Sequence, residues 1–412
     1  MAASRSRTIT TLQIAWYCEA WSGLPLPRAR RAAKGWRVSI PASGASTGRL
    51  RVGVVGGGLI AQVMHLHYLR ELSDRFDTTV VCDAAEANAL ACAERFGIPK
   101  ACTDWRELLD EPLDAVLVLT SGSHAPIAIE AASRGLHVMV EKPMCFSTSE
   151  GKAMIDAAAT TDVTLMVAYN KRYDPAYLRF RDEAAAVEDP RLMRITTFES
   201  PFRPYVGHYP LSVIAQPPPA VAQRIRQETE EAVRQAIGVA DEFQHRVYRS
   251  VLLDTLVHEL NGIRGVLGEP DRLDYADLRE GSLTVMLRFG SLPVALHWID
   301  LPGIARYKME FAMYGPDRRV SLSFPSPFLR SEPSLLQIES GAPGSACSRV
   351  SEEITSFESP FKRELIAFHE AITGGSKPAT PGQDGLRDIA LCQSIIEAFR
   401  TRGPIDNPSV PH

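Results

Sequence analysis

The 412-residue sequence predicts an α/β protein: an N-terminal parallel sheet with helices, then a C-terminal α/β domain with an open, mostly antiparallel sheet. Three observations carry this. An apolar strand runs straight into the turn Gly56-Gly57-Gly58-Leu59-Ile60-Ala61, which fits G-x-G-x-x-A. Strand-like and helix-like segments then alternate as far as about residue 170, the pattern of a parallel sheet with right-handed crossovers. Beyond about residue 190 the chain changes to longer alternating runs, the pattern of antiparallel strands with one face covered.

Residues 1–48 are set apart as an extension that is disordered or begun at too early a start codon. They are rich in Ala, Ser, Gly and Arg, and residues 1–50 carry eight Lys or Arg against the single acid Glu19. The Arg28–Arg31 cluster has no apolar stretch of signal length after it, while a transit peptide remains compatible with the acid-poor composition. The net charge of −4 argues against a nucleic-acid-binding surface. No apolar stretch reaches the roughly 18 residues of a membrane span. The seven cysteines form no C-x-x-C pair, which suits reduced thiols in a cytoplasmic protein better than a disulfide or zinc framework.

Residues 49–170 are expected to bind a dinucleotide. Leu50–Val55 reads as the first strand and Ile60–Leu72 as the helix after the glycine turn. Gly56 and Gly58 permit a tight turn and close approach to a pyrophosphate, while the backbone at Leu59 and Ile60 opens the helix toward an anion. The second strand, Thr78–Cys82, ends at Asp83, 25 residues past Gly58. A carboxylate there accepts hydrogen bonds from ribose hydroxyls and repels a 2′-phosphate, so NAD is favoured over NADP. A second reading makes Asp83 an N-cap for the helix Ala87–Phe96.

Asp114–Thr120, Leu136–Val140 and Thr164–Val167 are the next strands, with a helix at Ala125–Arg134. Their carboxyl ends bring Thr120, Ser121, His124, Glu141, Lys142 and Asn170 to the edge where such sheets bind ligands. Lys142 stands in Glu141-Lys142-Pro143, where Pro143 stiffens the loop that presents the amine.

Residues 171–400 form the expected second domain, with an insertion at about 201–250 and a tail at 401–412. Its candidate strands are Met193–Glu199, Leu273–Leu278, Ser282–Phe289, Val294–Ile299, Tyr307–Tyr314 and Arg319–Phe324, with Leu335–Glu339 weaker. Phe361–Thr373 and Gly385–Arg400 read as closing helices. Asp254 and His258 lie four apart, so a helix would turn carboxylate and imidazole the same way, the acid supporting the protonated ring. For an arbitrary D-x-x-x-H a surface pair is the commoner outcome, and no metal site is expected. His65 and His67 are expected to pack or be solvated, and Cys145 lacks a visible base. Lys171 and Arg172 either contact ligand or brace the domain junction.

The ordered set GGGLIA at 56–61, Asp83, EKP at 141–143, YNKRYDP at 169–175 and DTLVH at 254–258 resembles the Gfo/Idh/MocA family over about residues 50–400. The resemblance implies an N-terminal Rossmann domain and NAD(P)-dependent oxidation or reduction of ring hydroxyls of sugars, cyclitols or related molecules. It implies homodimers or homotetramers through the C-terminal sheet. It makes Lys142, Asp254 and His258 the catalytic set, with Asn170 and Arg172 also at substrate. Two other readings stay open: an enzyme that retains its cofactor for epimerisation, internal redox or oxidative elimination, and a non-catalytic NAD-binding regulator. The insertion departs from the family pattern. It contains Pro217-Pro218-Pro219 and a helical run with Val221, Ile225, Ala232, Val233, Ala236 and Ile237 on one face. A lid or protomer-contacting arm and a helix packed on the protein's own surface are both compatible with that.

Overall fold

A computed structural model describes residues 48–211, 215–238 and 240–411. The expectation for residues 1–48 therefore lies, save for Gly48, outside the described residues. The α/β architecture is as the sequence predicts. The N-terminal sheet contains β1 (Leu50–Val55), β2 (Phe76–Cys82), β3 (Lys100–Cys102), β4 (Ala115–Val118), β5 (His137–Glu141) and β6 (Leu165–Ala168). All are parallel, in the order β3-β2-β1-β4-β5-β6. The order reverses at β1, so a crevice opens between the loops that leave β1 and β4.

β4 and β6 are buried along their whole length, as strands covered on both faces must be. Each such Val or Leu contributes about 1.5–3 kcal/mol when removed from water. Gly56 closes β1 with φ +107°, and a Cβ there would lie 2.7 Å from the Leu119 carbonyl, so only glycine fits.

The second sheet has β7 (Leu192–Glu199), β8 (Arg272–Arg279), β9 (Ser282–Phe289), β10 (Leu292–Asp300), β11 (Lys308–Tyr314), β12 (Arg318–Phe324), β13 (Leu335–Gly341), β14 (Ser348–Glu353) and β15 (Ile405–Asp406). Their order is β14-β13-β12-β11-β7-β10-β9-β8-β15, antiparallel except where β7 runs parallel to β10. Strict alternation of burial along β9 and β12 puts Leu283, Val285, Leu287, Val320 and Leu322 against the helices. Other positions carry ion pairs such as Arg194–Glu310, Arg288–Asp274 and Arg319–Glu339.

The strands β3, β14 and β15 were not legible in the sequence. β3 and β15 are very short, and β14 (SRVSEE) is a polar edge strand without apolar alternation. Helices at Thr148–Thr160 and Pro175–Ala185 were also missed, although Ser147 and Glu150 form a full capping box on the first.

The insertion contains the helix Pro219–Ile237, which packs the face expected from its apolar residues. Val233 and Ile237 are buried, and the carbonyls of Ala236 and Ile237 accept hydrogen bonds from Gln393 and Arg400 of the last helix, Gly382–Thr401.

Candidate active site

The glycine turn, the end of β2 and the loop after β4 lie together at the carboxyl edge of the first sheet, where its strand order reverses. A Cβ on Gly58 would meet nothing within 4 Å, so the backbone there is open to a ligand. Asp83 holds the turn from below. Its Oδ2 accepts from the Gly57 N–H at 2.8 Å and its Oδ1 from the Ala85 N–H at 2.8 Å. The second reading of Asp83 is thereby corrected: the helix Glu86–Phe96 begins at Ala85 without a side-chain cap, and Asp83 closes the turn ahead of it. Open glycine backbone at the carboxyl end of the first strand fits the pyrophosphate of a nicotinamide dinucleotide.

Two loops meet beside the crevice through His124. Its ring nitrogens lie 2.8 Å from the carbonyls of Thr120 and of Pro143, and the residue is 2% exposed. The imidazole therefore joins the loops after β4 and β5, and the expected direct contact of its side chain with cofactor is not available. Thr120 and Ser121 remain at the rim.

Below the Glu141-Lys142-Pro143 loop lies an arrangement the sequence did not suggest. His65, expected to pack or be solvated, is buried with its Nε2 2.7 Å from Glu141 Oε1. The other Glu141 oxygen accepts from the Lys142 N–H at 2.9 Å. Burial pushes the Glu141 carboxyl up, but the bond from His65 and the charges of His65 and Lys142 outweigh it and hold the group below its ordinary range. Glu141 thus faces inward as a brace for the loop and away from the expected cofactor contact.

That brace directs Lys142 across to the second domain. Its Nζ donates to Asp254 Oδ1 at 2.9 Å and to the Asp254 carbonyl at 2.6 Å. Burial works against the ammonium, but Asp254 and Glu141 outweigh it and raise its pKa. Lys142 is therefore held as the ammonium at neutral pH.

The structure corrects the expected partnership of Asp254 with His258. Residues Tyr248–Leu256 form a π-helix, whose wider turn spaces neighbours at i+5 rather than i+4. Asp254 consequently meets Lys142, while His258 lies edge-on to Tyr169 at 6.2 Å and its Nδ1 has no hydrogen-bond partner among the described residues. Burial, with Lys171 and Lys142 close by, pushes the imidazole well below its usual range. A neutral ring beside a protonated lysine can take a proton while the lysine polarises the same oxygen.

Arg172 takes the bracing one of its two expected roles. Its guanidinium reaches the Asn261 side chain and carbonyl and Asp384, in a network that includes the buried Arg264–Asp388 pair at 2.6 Å. It braces the helices Val257–Leu267 and Gly382–Thr401. Its neighbours take the inward positions: Asn170 and Lys171 are 3% and 5% exposed. Glu259 had no sequence signal beyond adjacency to His258.

Residues 50–169 match the model of the oxidoreductase family with the NAD-binding Rossmann fold. The chain is 26% identical over 361 residues to myo-inositol 2-dehydrogenase of Thermotoga maritima, covering 83% of this chain and 94% of that protein. It is 34% identical over 135 residues to levoglucosan dehydrogenase of Pseudarthrobacter phenanthrenivorans, covering 31% and 35%. The fold matches a solved levoglucosan dehydrogenase in complex with NADH at TM-score 0.68 and 20% identity, over 88% of this chain and all of that one.

Proposed function

The chain belongs to the Gfo/Idh/MocA oxidoreductase family, and from that premise we propose that it transfers hydride between NAD and a secondary alcohol or ketone of a sugar, cyclitol or related metabolite. The observation that carries this reading is the Lys142 ammonium clasped by Asp254 across the two domains, with the desolvated, neutral His258 one turn on from that acid. When bound, the nicotinamide supplies the hydride acceptor or donor. Gly56, Gly58, Leu59 and Ile60 would hold the pyrophosphate, Asp83 the adenosine ribose, and Thr120 and Ser121 the rim of the crevice.

In the oxidative direction His258 takes the hydroxyl proton and Lys142 donates a hydrogen bond to the same oxygen. Asp254 holds the ammonium in place, and Asn170 orients the substrate. In reduction the proton returns from His258. Such acid–base help is worth about 10²–10⁴-fold. The carboxylate of Asp83 favours NAD over NADP. Among the described residues no helix is long and apolar enough to cross a membrane, and a cytoplasmic homo-oligomer joined through the C-terminal sheet accords with the reading.

The test is a screen of the full chain with NAD and NADP against cyclitols, sugars and sugar phosphates, following NADH by absorbance. NAD-dependent turnover of a ring alcohol, lost in Lys142→Ala, is expected. Turnover undiminished in a folded Lys142→Ala protein would remove the assignment.

A second reading, a cofactor kept on the protein between turnovers, is favoured by the insertion. Asn88, beside Asp83, exchanges two hydrogen bonds with the backbone of Ala215, at 2.6 and 3.1 Å. Farther along, a Cβ on Gly122 would lie 3.3 Å from Ile225. The insertion thus touches the adenosine side and the β4 loop of the crevice. NADH that stays with the purified protein through dialysis would support retention.

A further inference from the structure

The two sheets end in four outer strands, and three of these are short or covered. β3 has three residues and β15 two. β6 is covered where the Val167 N–H donates to the Thr380 carbonyl at 2.9 Å and the Thr380 hydroxyl donates to the Val167 carbonyl at 2.7 Å. β14 is different. It runs for six residues and, among the described residues, pairs with β13 alone. Proteins ordinarily shorten, cover or twist away such an edge, because its free N–H and C=O groups recruit another strand.

The register with β13 says which way each side chain of β14 faces. Ser351 stands opposite the buried Ile338 and Glu353 opposite the buried Leu336, so Arg349, Ser351 and Glu353 lie on the helix-covered face. Arg179 of the helix Pro175–Ala185 reaches Glu353 at 3.3 Å, as that placement requires. Val350 and Glu352 lie on the open face. Arg349 is exposed and, among the described residues, in no ion pair. Val350 and Ile354 are 56% and 52% exposed.

We propose that the free edge of β14 is an interface and that its occupant is β14 of a second copy of this chain, paired antiparallel about a two-fold axis. That axis stands perpendicular to the sheet, so only registers that pair residues of the same face are allowed. With Ser351 opposite itself, Arg349 faces Glu353 of the second copy, and symmetry repeats the pair. On the open face, Val350 lies opposite Glu352 and diagonal to Val350 and Ile354 of the second copy, where apolar side chains interact. The strand is complementary to itself in both charge and polarity. The adjacent register, centred on Val350, sets Arg349 opposite Ser351 and loses both ion pairs. The inference rests on the homo-oligomer in the reading above and assigns its contact to the edge of the C-terminal sheet, outside the catalytic residues.

Sedimentation of the full chain over a concentration series reads the assembly. The wild type is expected to associate. Arg349→Glu sets like charges opposite each other twice and should weaken association about tenfold. Combining Arg349→Glu with Glu353→Arg restores the pair in reversed order and should recover association. A cross-link then reads the register, in a background where the exposed Cys347 is removed by Cys347→Ser. Directly opposed residues of antiparallel strands lie within disulfide reach, so two Ser351→Cys chains should join under diamide, which takes up the two thiol hydrogens. Arg349→Cys, which faces Glu353 instead of itself, should stay unlinked. Association undiminished in Arg349→Glu overturns the edge contact and leaves a homo-oligomer joined elsewhere, as does a Ser351→Cys chain that stays unlinked. A wild type that remains monomeric throughout overturns the edge contact and the homo-oligomer together.

Discussion

The Lys142 ammonium lies 2.9 Å from the Asp254 carboxylate and 2.6 Å from the Asp254 carbonyl, joining the Glu141-Lys142-Pro143 loop to the π-helix of the second domain. Opposing charge is what keeps this partly buried lysine protonated. Asp254→Asn should therefore lower the Lys142 pKa. The alkaline limb of kcat/KM, where loss of the lysine proton ends activity, should move to lower pH. Lys142→Ala should lose about 10²–10⁴-fold in turnover while binding NAD nearly as the wild type does. An alkaline limb that stays in place in Asp254→Asn would mean that the carboxylate does not set the lysine's charge.

Asp83 supports the glycine turn, and the proposed function gives it the adenosine ribose as well. Asp83→Ala should weaken NAD binding about ten- to a hundredfold, the size of one charged hydrogen bond. It should weaken NADP binding less, because repulsion of the 2′-phosphate is also removed. Calorimetric titration with both cofactors measures the ratio. An unchanged ratio would place cofactor choice elsewhere.

Glu364 is fully buried, and among the described residues neither of its oxygens has a partner. Burial, with the Glu141 charge adding to it, pushes its pKa well up. The unfolded chain ionises this group near ~4.3. The contribution of Glu364 to stability is therefore complete below that pH and lost as pH rises toward the folded value. Glu364→Gln, which cannot ionise, should gain in Tm over wild type as pH rises from about 5 toward neutrality. A difference that does not change with pH would mean that the carboxylate is ionised and paired in the fold.

Asn88 pins the insertion at Ala215. Asn88→Ala should speed NAD release in stopped-flow displacement, by about tenfold for the loss of two hydrogen bonds of ~1 kcal/mol each that are partly regained from water. Wild-type release that is already fast, and does not change in the variant, would make the insertion a surface feature with no hold on the cofactor.

Much of this molecule was readable before any coordinates. Glycine at 56 was legible because the left-handed turn admits no side chain, and β1, β2 and β4 because wholly buried strands leave continuous apolar runs. Lys142 was legible from the proline after it and the strand before it. The partners of these residues were not. Arg172 and Lys171 are adjacent cations with the same sequence neighbours, yet one braces Asn261 and Asp384 while the other is buried near the Phe324 ring.

The sequence by itself determined the order of elements, the glycine crevice and the identity of the groups that line it, because these follow from local backbone geometry and the periodicity of burial. Only the tertiary structure decided which groups meet. One π-helical turn sends Asp254 to Lys142 and away from His258. The fold brings His65 to Glu141 across 76 residues and lays the insertion on Asn88 across 127. Charge states at the site depend on those meetings, since a pKa is set by burial and by charges a few ångströms away in space, and distance along the chain measures neither.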